Sequence, residues 1–181
     1  ATKMHTGLTA EELYRSTKVP FAFNYGDEDL DVDHTGPFAN EHGTHVAGIA
    51  AANQVEGSDV VGVAHDAQIA VMKVMDQKGS IYTSYWLAAL EDALKLGCDM
   101  VNMSLGSPSG FTTSDDLTNE ILNRVKSTGT VLCISAGNET QSSYGNMWGT
   151  DQNPTSHPDS AVVSSPAFRP PSTRTRKVMP P

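Results

Sequence analysis

A histidine within a run of small residues is the first group in this chain that could do chemistry. His42 lies in EHGTHVAGIAA, residues 41–51, which is rich in Gly and Ala. At a helix start its imidazole could act as a general base, because the positive end of the helix dipole favours the neutral ring. The small residues would let such a helix lie close to neighbouring backbone. His45 follows three residues later, a spacing that lacks the glutamate and the i, i+4 separation of zinc-binding HExxH helices.

A second block of small residues contains an asparagine that could also take part in chemistry. Asn138 lies in CISAGNE, residues 133–139, directly after Ala136 and Gly137, which predict a tight corner at the end of a strand. Its side-chain amide could donate a hydrogen bond to an oxygen that becomes negative during acyl transfer. The alternative is a turn asparagine that bonds its own backbone.

Alternating strands and helices must position these two side chains. Short apolar or β-branched runs predict strands at 19–24, 69–75, 100–104 and 130–135, with a further strand at 161–164. Helices are predicted at about 43–53, around Trp86 and Leu94 with an end at Gly97, and from an N-cap at Ser114 to Gly129. The order predicts an α/β fold with a doubly wound, mostly parallel sheet, whose functional groups gather at the carboxyl ends of the strands.

Composition excludes several classes of function. The 181 residues carry 21 acidic and 12 basic side chains, a net charge of -9 that argues against a nucleic-acid partner. An α/β pattern is also compatible with a nucleotide-binding domain. The sequence contains neither a GxGxxG nor a GxxxxGKS motif, so this interpretation has no support. Cys98 and Cys133 are predicted to be small buried residues rather than a disulfide framework. The sequence contains no apolar run long enough for a membrane span and no signal peptide pattern.

Three blocks in order, EHGTHVAGIAA, VNMSLGS at 101–107 and CISAGNE, resemble the subtilisin-like serine proteases. The phrase GSDVVGVAHDAQIAVMKV at 57–74 is most similar to secreted and cell-envelope proteinases of Gram-positive bacteria. The resemblance implies a serine endopeptidase with an Asp-His-Ser triad, in which His42 is the general base and Asn138 the oxyanion donor. It assigns His45 a supporting role, by hydrogen bonding within the site or the fold. It also implies an extracellular or cell-envelope location.

The resemblance further implies a cleft that binds a polypeptide substrate as an extended strand. One wall would consist of Lys78, Gly79, Ser80 and Ile81, and the other of Ser104, Leu105 and Gly106. The chemistry requires no cofactor, and no metal ligands are assigned. Structural calcium, oligomeric state and cleavage specificity stay open.

Two motifs of the family do not occur: the aspartate motif, Asp-Ser/Thr-Gly after an apolar strand, and the nucleophile motif, Gly-Thr-Ser-Met-Ala. In Asp33-His34-Thr35-Gly36 a histidine is inserted and no apolar strand precedes, so Asp33 is interpreted as part of a solvated acidic loop, with a cation site as the alternative. We therefore expect the triad Asp before Ala1 and the Ser beyond Pro181.

The expected domain is thus partial, spanning 1–167, incomplete at both ends and inactive alone. The Pro- and Arg-rich tail 168–181 is expected to be disordered or non-native. The alternative function, from another class, is a non-catalytic peptide-binding module that keeps the substrate strands without the chemistry.

Overall fold

The computed structural model describes residues 7–33, 40–106, 117–135 and 137–138. The chain divides into two compact units, Ala1–Val101 and Asn102–Pro181. The elements, in chain order, are α1 (Ala10–Leu13), β1 (Phe21–Asn24), α2 (His42–Ala51), β2 (Ala70–Lys73), α3 (Thr83–Lys95), β3 (Met100–Met103), α4 (Leu117–Ser127) and β4 (Val131–Ile134).

The core of the first unit forms around β1, whose four residues are all buried. β1 pairs in parallel with β2, so that Asn24 lies opposite Lys73. The rings of Phe23 and Tyr25 meet edge to face at 5.0 Å, and Ala89 of α3 packs against the same cluster. Burial of this aromatic and aliphatic surface between the sheet and α3 stabilises the first unit through the hydrophobic effect.

α1 was not predicted from the sequence. Thr9 caps it: the Thr9 hydroxyl accepts from the Glu12 N–H, and the Glu12 carboxylate accepts from the Thr9 N–H at 2.7 Å. This reciprocal pair is a capping box, and its T-x-x-E signature was present in the sequence.

In the second unit, β3 pairs with β4. The Ser135 N–H extends the pairing by donating to the Met103 carbonyl at 3.1 Å. α4 buries Leu122 and Val125, and Gly129 follows at φ 87°. The left-handed conformation suits glycine and marks the end of the helix, as predicted.

The alternation of strands and helices and the parallel β1–β2 pair agree with the predicted doubly wound α/β class. The described strands form two separate pairs, β1–β2 and β3–β4. The predicted cap at Ser114, the strand at 161–164 and the tail from 168 lie outside the described residues. Among the helices that the structure describes, none is both long and apolar enough to span a bilayer.

The prediction of two buried cysteines is wrong for Cys133. Both thiols are free, but Cys98 is half-buried and Cys133 is exposed. The pleat of β4 places Cys133 on the same side as Val131, which is also exposed, while Leu132 and Ile134 lie on the more protected side. An apolar strand predicts buried side chains, but β4 is covered more fully on one face than on the other.

Candidate functional site

His42 is the first residue of α2, as the sequence predicted, and its side chain is exposed. Asn40 holds the helix start, because its Oδ1 accepts the His42 N–H at 3.0 Å. That bond satisfies one of the backbone donors that a helix start leaves without an intrahelical partner. The sequence analysis missed Asn40, although an asparagine just before a helix is a typical capping residue. The side chain of His45, one turn along α2, is also exposed.

The other end of α2 is held by the segment 62–64. The N–H groups of Val63 and Ala64 donate to carbonyls in the last turn of the helix, and the N–H of Gly62 donates to the carbonyl of the C-cap residue Ala52, all at 2.8–3.1 Å. These bonds satisfy acceptors that the helix end itself cannot pair. The loop segment 62–64 thereby holds the end of the helix that carries His42.

Close backbone approach occurs where Gly62 meets the last residue of α2, and not at the two glycines within the helix. A Cβ on Gly62 would lie 2.2 Å from the Ala52 nitrogen. A Cβ on Gly43 or Gly48 would meet no atom within 4 Å. The expected close contact of the Gly- and Ala-rich helix therefore does not involve these two helical glycines, and a loop glycine supplies the contact instead.

The predicted substrate wall at 78–81 lies on a closed turn that Asp76 organises. Its Oδ1 accepts the N–H groups of Lys78 at 2.9 Å and Ser80 at 2.8 Å, and its own N–H donates to the Ser80 carbonyl. Gly79 adopts φ 78°, which a side chain would disfavour. The side chain of Ile81 projects into solvent at the end of the turn.

An open depression of about 570 Å³ is lined mainly by residues of this turn and of the loop after β1. The two segments meet where Gly26 passes the Asp76 backbone, at a distance that leaves no room for a Cβ. The Gln77 N–H also donates to Asp27 Oδ1 at 3.2 Å. The residues lining the depression are Gly26, Asp27, Asp29, Asp76, Gln77, Lys78 and Tyr85.

Buried Asn24 organises the acidic loop on the other side of the depression. Its Nδ2 donates to Asp27 Oδ2 at 3.1 Å and to Asp29 Oδ1 at 2.8 Å, while its Oδ1 accepts two main-chain N–H groups. Asp33 lies exposed near the end of this loop, in agreement with its interpretation as a solvated residue. Within the described ranges, no group of three His, Cys, Asp or Glu side chains is arranged to hold a metal ion.

A buried pair connects the end of β1 to α3. The Tyr25 hydroxyl donates to Asp92 Oδ2 at 2.9 Å, and both side chains are inaccessible to solvent. Burial raises the pKa of Tyr25, and the negative charge and hydrogen bond of Asp92 raise it further. The sequence analysis missed this pair, because no local pattern signals a contact between residues so far apart in the chain.

In the second unit the other predicted wall lies beside the strand that leads to Asn138. The Ser135 hydroxyl donates to the Leu105 carbonyl at 3.2 Å, and Asn102 Nδ2 lies 3.0 Å from Ser104 Oγ. Gly137 adopts φ 92°, consistent with the predicted corner, and Asn138 follows with its side chain exposed. The structure thus joins 104–106 to the end of β4.

Comparison with known proteins identifies relatives of this chain. The chain is 43% identical over 133 residues to the PI-type proteinase of Lactococcus lactis subsp. cremoris, covering 69% of this chain and 7% of that protein. It is 40% identical over 111 residues to subtilisin E of Bacillus subtilis (strain 168), covering 60% of this chain and 28% of that protein. The chain therefore spans less than a third of either relative's length.

A solved structure gives the fold independently. A mutant of the protease domain of PatA superposes with a TM-score of 0.54 at 21% identity, covering 77% of this chain and 43% of that one. At this identity the likeness supports the fold alone. The model of the Subtilase family matches residues 5–168. Since that match covers most of the 181 residues, the chain belongs to the subtilase family.

Proposed function

We propose that this chain supplies part of the catalytic domain of a serine endopeptidase that hydrolyses peptide bonds through an Asp-His-Ser triad. The observation that carries the proposal is the position of His42: an exposed imidazole on the first residue of a helix whose start is held by Asn40. Membership of the subtilase family and the names of the relatives, a proteinase and a subtilisin, support it. The triad Asp and Ser lie outside this chain in our proposal.

His42 takes the proton of the serine hydroxyl as the acyl bond forms and gives it to the leaving amine. Asn138 donates its side-chain amide to the oxyanion of the tetrahedral intermediate, where a fixed donor stabilises the transition state more than the ground state. The corner at Gly137 and the exposed position of Asn138 support this role.

The substrate is a polypeptide bound in extended form, and the proposed substrate-binding segments are the turn at 78–81 in the first unit and the segment 104–106 in the second unit. The hydrogen bonds of Asp76 support the first wall, since they hold the turn in one conformation without using its outer surface. The Ser135–Leu105 bond supports the second, because it joins the segment 104–106 to the end of the strand that leads to Asn138. An extracellular or cell-envelope location agrees with the family, and the chemistry needs no cofactor.

The test begins with the 181-residue chain alone, which should not react with a serine-directed fluorophosphonate. Stoichiometric labelling that a single serine substitution abolishes would contradict the absence of the nucleophile. The chain is then completed with the flanking sequences of the lactococcal PI-type proteinase, and turnover of a chromogenic peptide is measured.

In the completed domain, His42→Ala should lower kcat by several orders of magnitude with little change in KM, since proton transfer acts only in the transition state. His45→Ala is the matched control and should retain turnover. Asn138→Ala should lose about 100- to 1,000-fold in kcat, a magnitude taken from subtilisin and not obtained from this structure. Loss of turnover in folded His45→Ala together with its retention in His42→Ala would reverse the assignment. A completed domain that binds peptides without cleaving them would favour the peptide-binding module.

A further inference from the structure

The loop after β1 concentrates negative charge. Five of the seven residues in 27–33 are acidic: Asp27, Glu28, Asp29, Asp31 and Asp33. Like charges this close repel one another unless hydrogen bonds or cations compensate. Main-chain donors provide part of the compensation, because Asp29 Oδ1 accepts the Asp31 N–H at 3.0 Å and Asp31 Oδ1 accepts the Asp33 N–H at 3.1 Å.

Two positively charged side chains donate hydrogen bonds to main-chain carbonyl oxygens of the loop. Lys73, the last residue of β2, places Nζ 3.2 Å from the Asp31 carbonyl and 3.1 Å from the Asp33 carbonyl. Arg15 donates to the neighbouring Leu30 carbonyl at 2.7 Å. Lys73 is half-buried and lies opposite Asn24, the residue from which the loop begins. The register of the sheet thus fixes the backbone position from which the Lys73 side chain extends to the loop.

We infer that the ammonium of Lys73 serves as the structural cation of the acidic loop, in the role that a bound divalent ion would otherwise have. Carbonyl and carboxylate oxygens are the ligands that Ca²⁺ prefers. Here an ammonium with three N–H donors engages two of the carbonyls directly. The ammonium thus offsets part of the charge repulsion within the loop. The described residues contain no group of three side chains arranged to hold a metal ion.

The stability of the acidic loop also affects the depression beside it. Asp27 accepts the Gln77 N–H, so the acidic loop supports the neighbouring turn 76–80. The inference does not depend on catalysis by this chain, because it concerns only how the loop is stabilised.

The test measures amide hydrogen exchange by mass spectrometry in peptides covering 25–33, on the full chain at neutral pH. With EDTA, Lys73→Met should exchange about ten-fold or more faster than the unsubstituted chain, since it loses charge-assisted hydrogen bonds. Calcium at millimolar concentration should reverse most of that change, because the freed carbonyls and nearby carboxylates can then bind the ion. Lys73→Arg should restore protection without calcium. Lys95→Met is the matched control, since Lys95 forms an exposed ion pair with Glu91 on the same helix.

Several results would overturn the inference. They are equal exchange in Lys73→Met and Lys95→Met, no recovery of Lys73→Met with calcium, or protection in the unsubstituted chain that itself requires calcium. If Lys73→Met does not fold, competitive acetylation of the unsubstituted chain decides. The bonded amine of Lys73 should then react several-fold more slowly than that of Lys95, and equal rates would refute the assignment.

Discussion

Tyr25 is the residue at which strand, loop and helix meet in the first unit. Its N–H donates to the Lys73 carbonyl at 2.7 Å, its ring packs on Phe23, and its hydroxyl donates to Asp92. A buried carboxylate is costly without hydrogen bonds, so the phenol stabilises the charge that α3 brings into the core. One residue thus connects the end of β1 to β2 through its main chain and to α3 through its side chain.

Replacing this phenol should therefore destabilise the unit. Tyr25→Phe keeps the ring but removes the donor to Asp92, and we expect the free energy of unfolding to fall by about 1–3 kcal/mol in urea melts. Tyr14→Phe is the control, because Tyr14 is exposed. Equal stability of the two variants would mean that the Tyr25–Asp92 bond contributes nothing measurable.

The same pair predicts a dependence on pH. The pKa of Tyr25 is raised in the folded chain above its ordinary value of about 10. The folded state therefore holds the phenolic proton more tightly than the unfolded state. The resulting stabilisation is fully present below about pH 10 and is lost as the pH rises beyond it. Urea midpoints should fall more steeply above pH 10 in the unsubstituted chain than in Tyr25→Phe. Parallel profiles would show that Tyr25 titrates normally.

At the scale of elements, α2 is held at both ends by residues outside it. Asn40 binds the start, and the segment 62–64 binds the last turn. The helix is therefore positioned by its ends, while two of its own glycines face open space. Substitutions at a glycine that contacts neighbouring backbone and at a glycine that faces open space should show which contacts stabilise the helix.

Gly62→Ala and Gly48→Ala should act in opposite directions. A methyl at Gly62 would lie 2.2 Å from backbone and must displace the loop or the helix, so we expect a loss of stability of about 1–3 kcal/mol. A methyl at Gly48 meets nothing within 4 Å and should stabilise α2 by about 0.5–1 kcal/mol through helix propensity. Thermal melts of both variants test the pair. A stabilised Gly62→Ala would show that the close approach is absent in solution.

At the scale of the whole molecule, the exposed apolar side chains are unevenly distributed. A group of five comes from the outer part of α2 and the residues that follow it: Ile49, Val55, Val60, Val61 and Val63. Val63 is 90% exposed and Val60 is 72% exposed. Apolar side chains concentrated in one short segment form a surface to which other apolar groups can bind.

The chain should accordingly bind the dye ANS at neutral pH. The combined substitution of Val60→Ser and Val63→Ser should reduce its fluorescence by about half, because these two carry the greatest exposure in the group. Val131→Ser is the control, since Val131 is exposed on β4 in the other unit. Unchanged fluorescence after the double substitution would locate the dye elsewhere.

The sequence by itself determined most of the elements and supplied the candidates for the site. Apolar runs and helical periodicity predicted β1 to β4 and α2 to α4, because burial of one face imposes a period that is visible over a few residues. The small-residue blocks likewise suggested His42 and Asn138 as candidate site residues. α1 was missed because its signal is a capping box only, with little apolar surface behind it.

Only the tertiary structure decided the contacts that hold these elements. The contacts of Tyr25 with Asp92 and of Lys73 with Asp31 and Asp33 join residues far apart in the chain. Gly62 meets the end of α2 across the loop that follows the helix. Such contacts depend on strand register and helix packing, which local patterns do not encode. The exposure of Cys133 has the same origin. A strand's sequence predicts that it is apolar, but what packs against each face decides which side chains are buried.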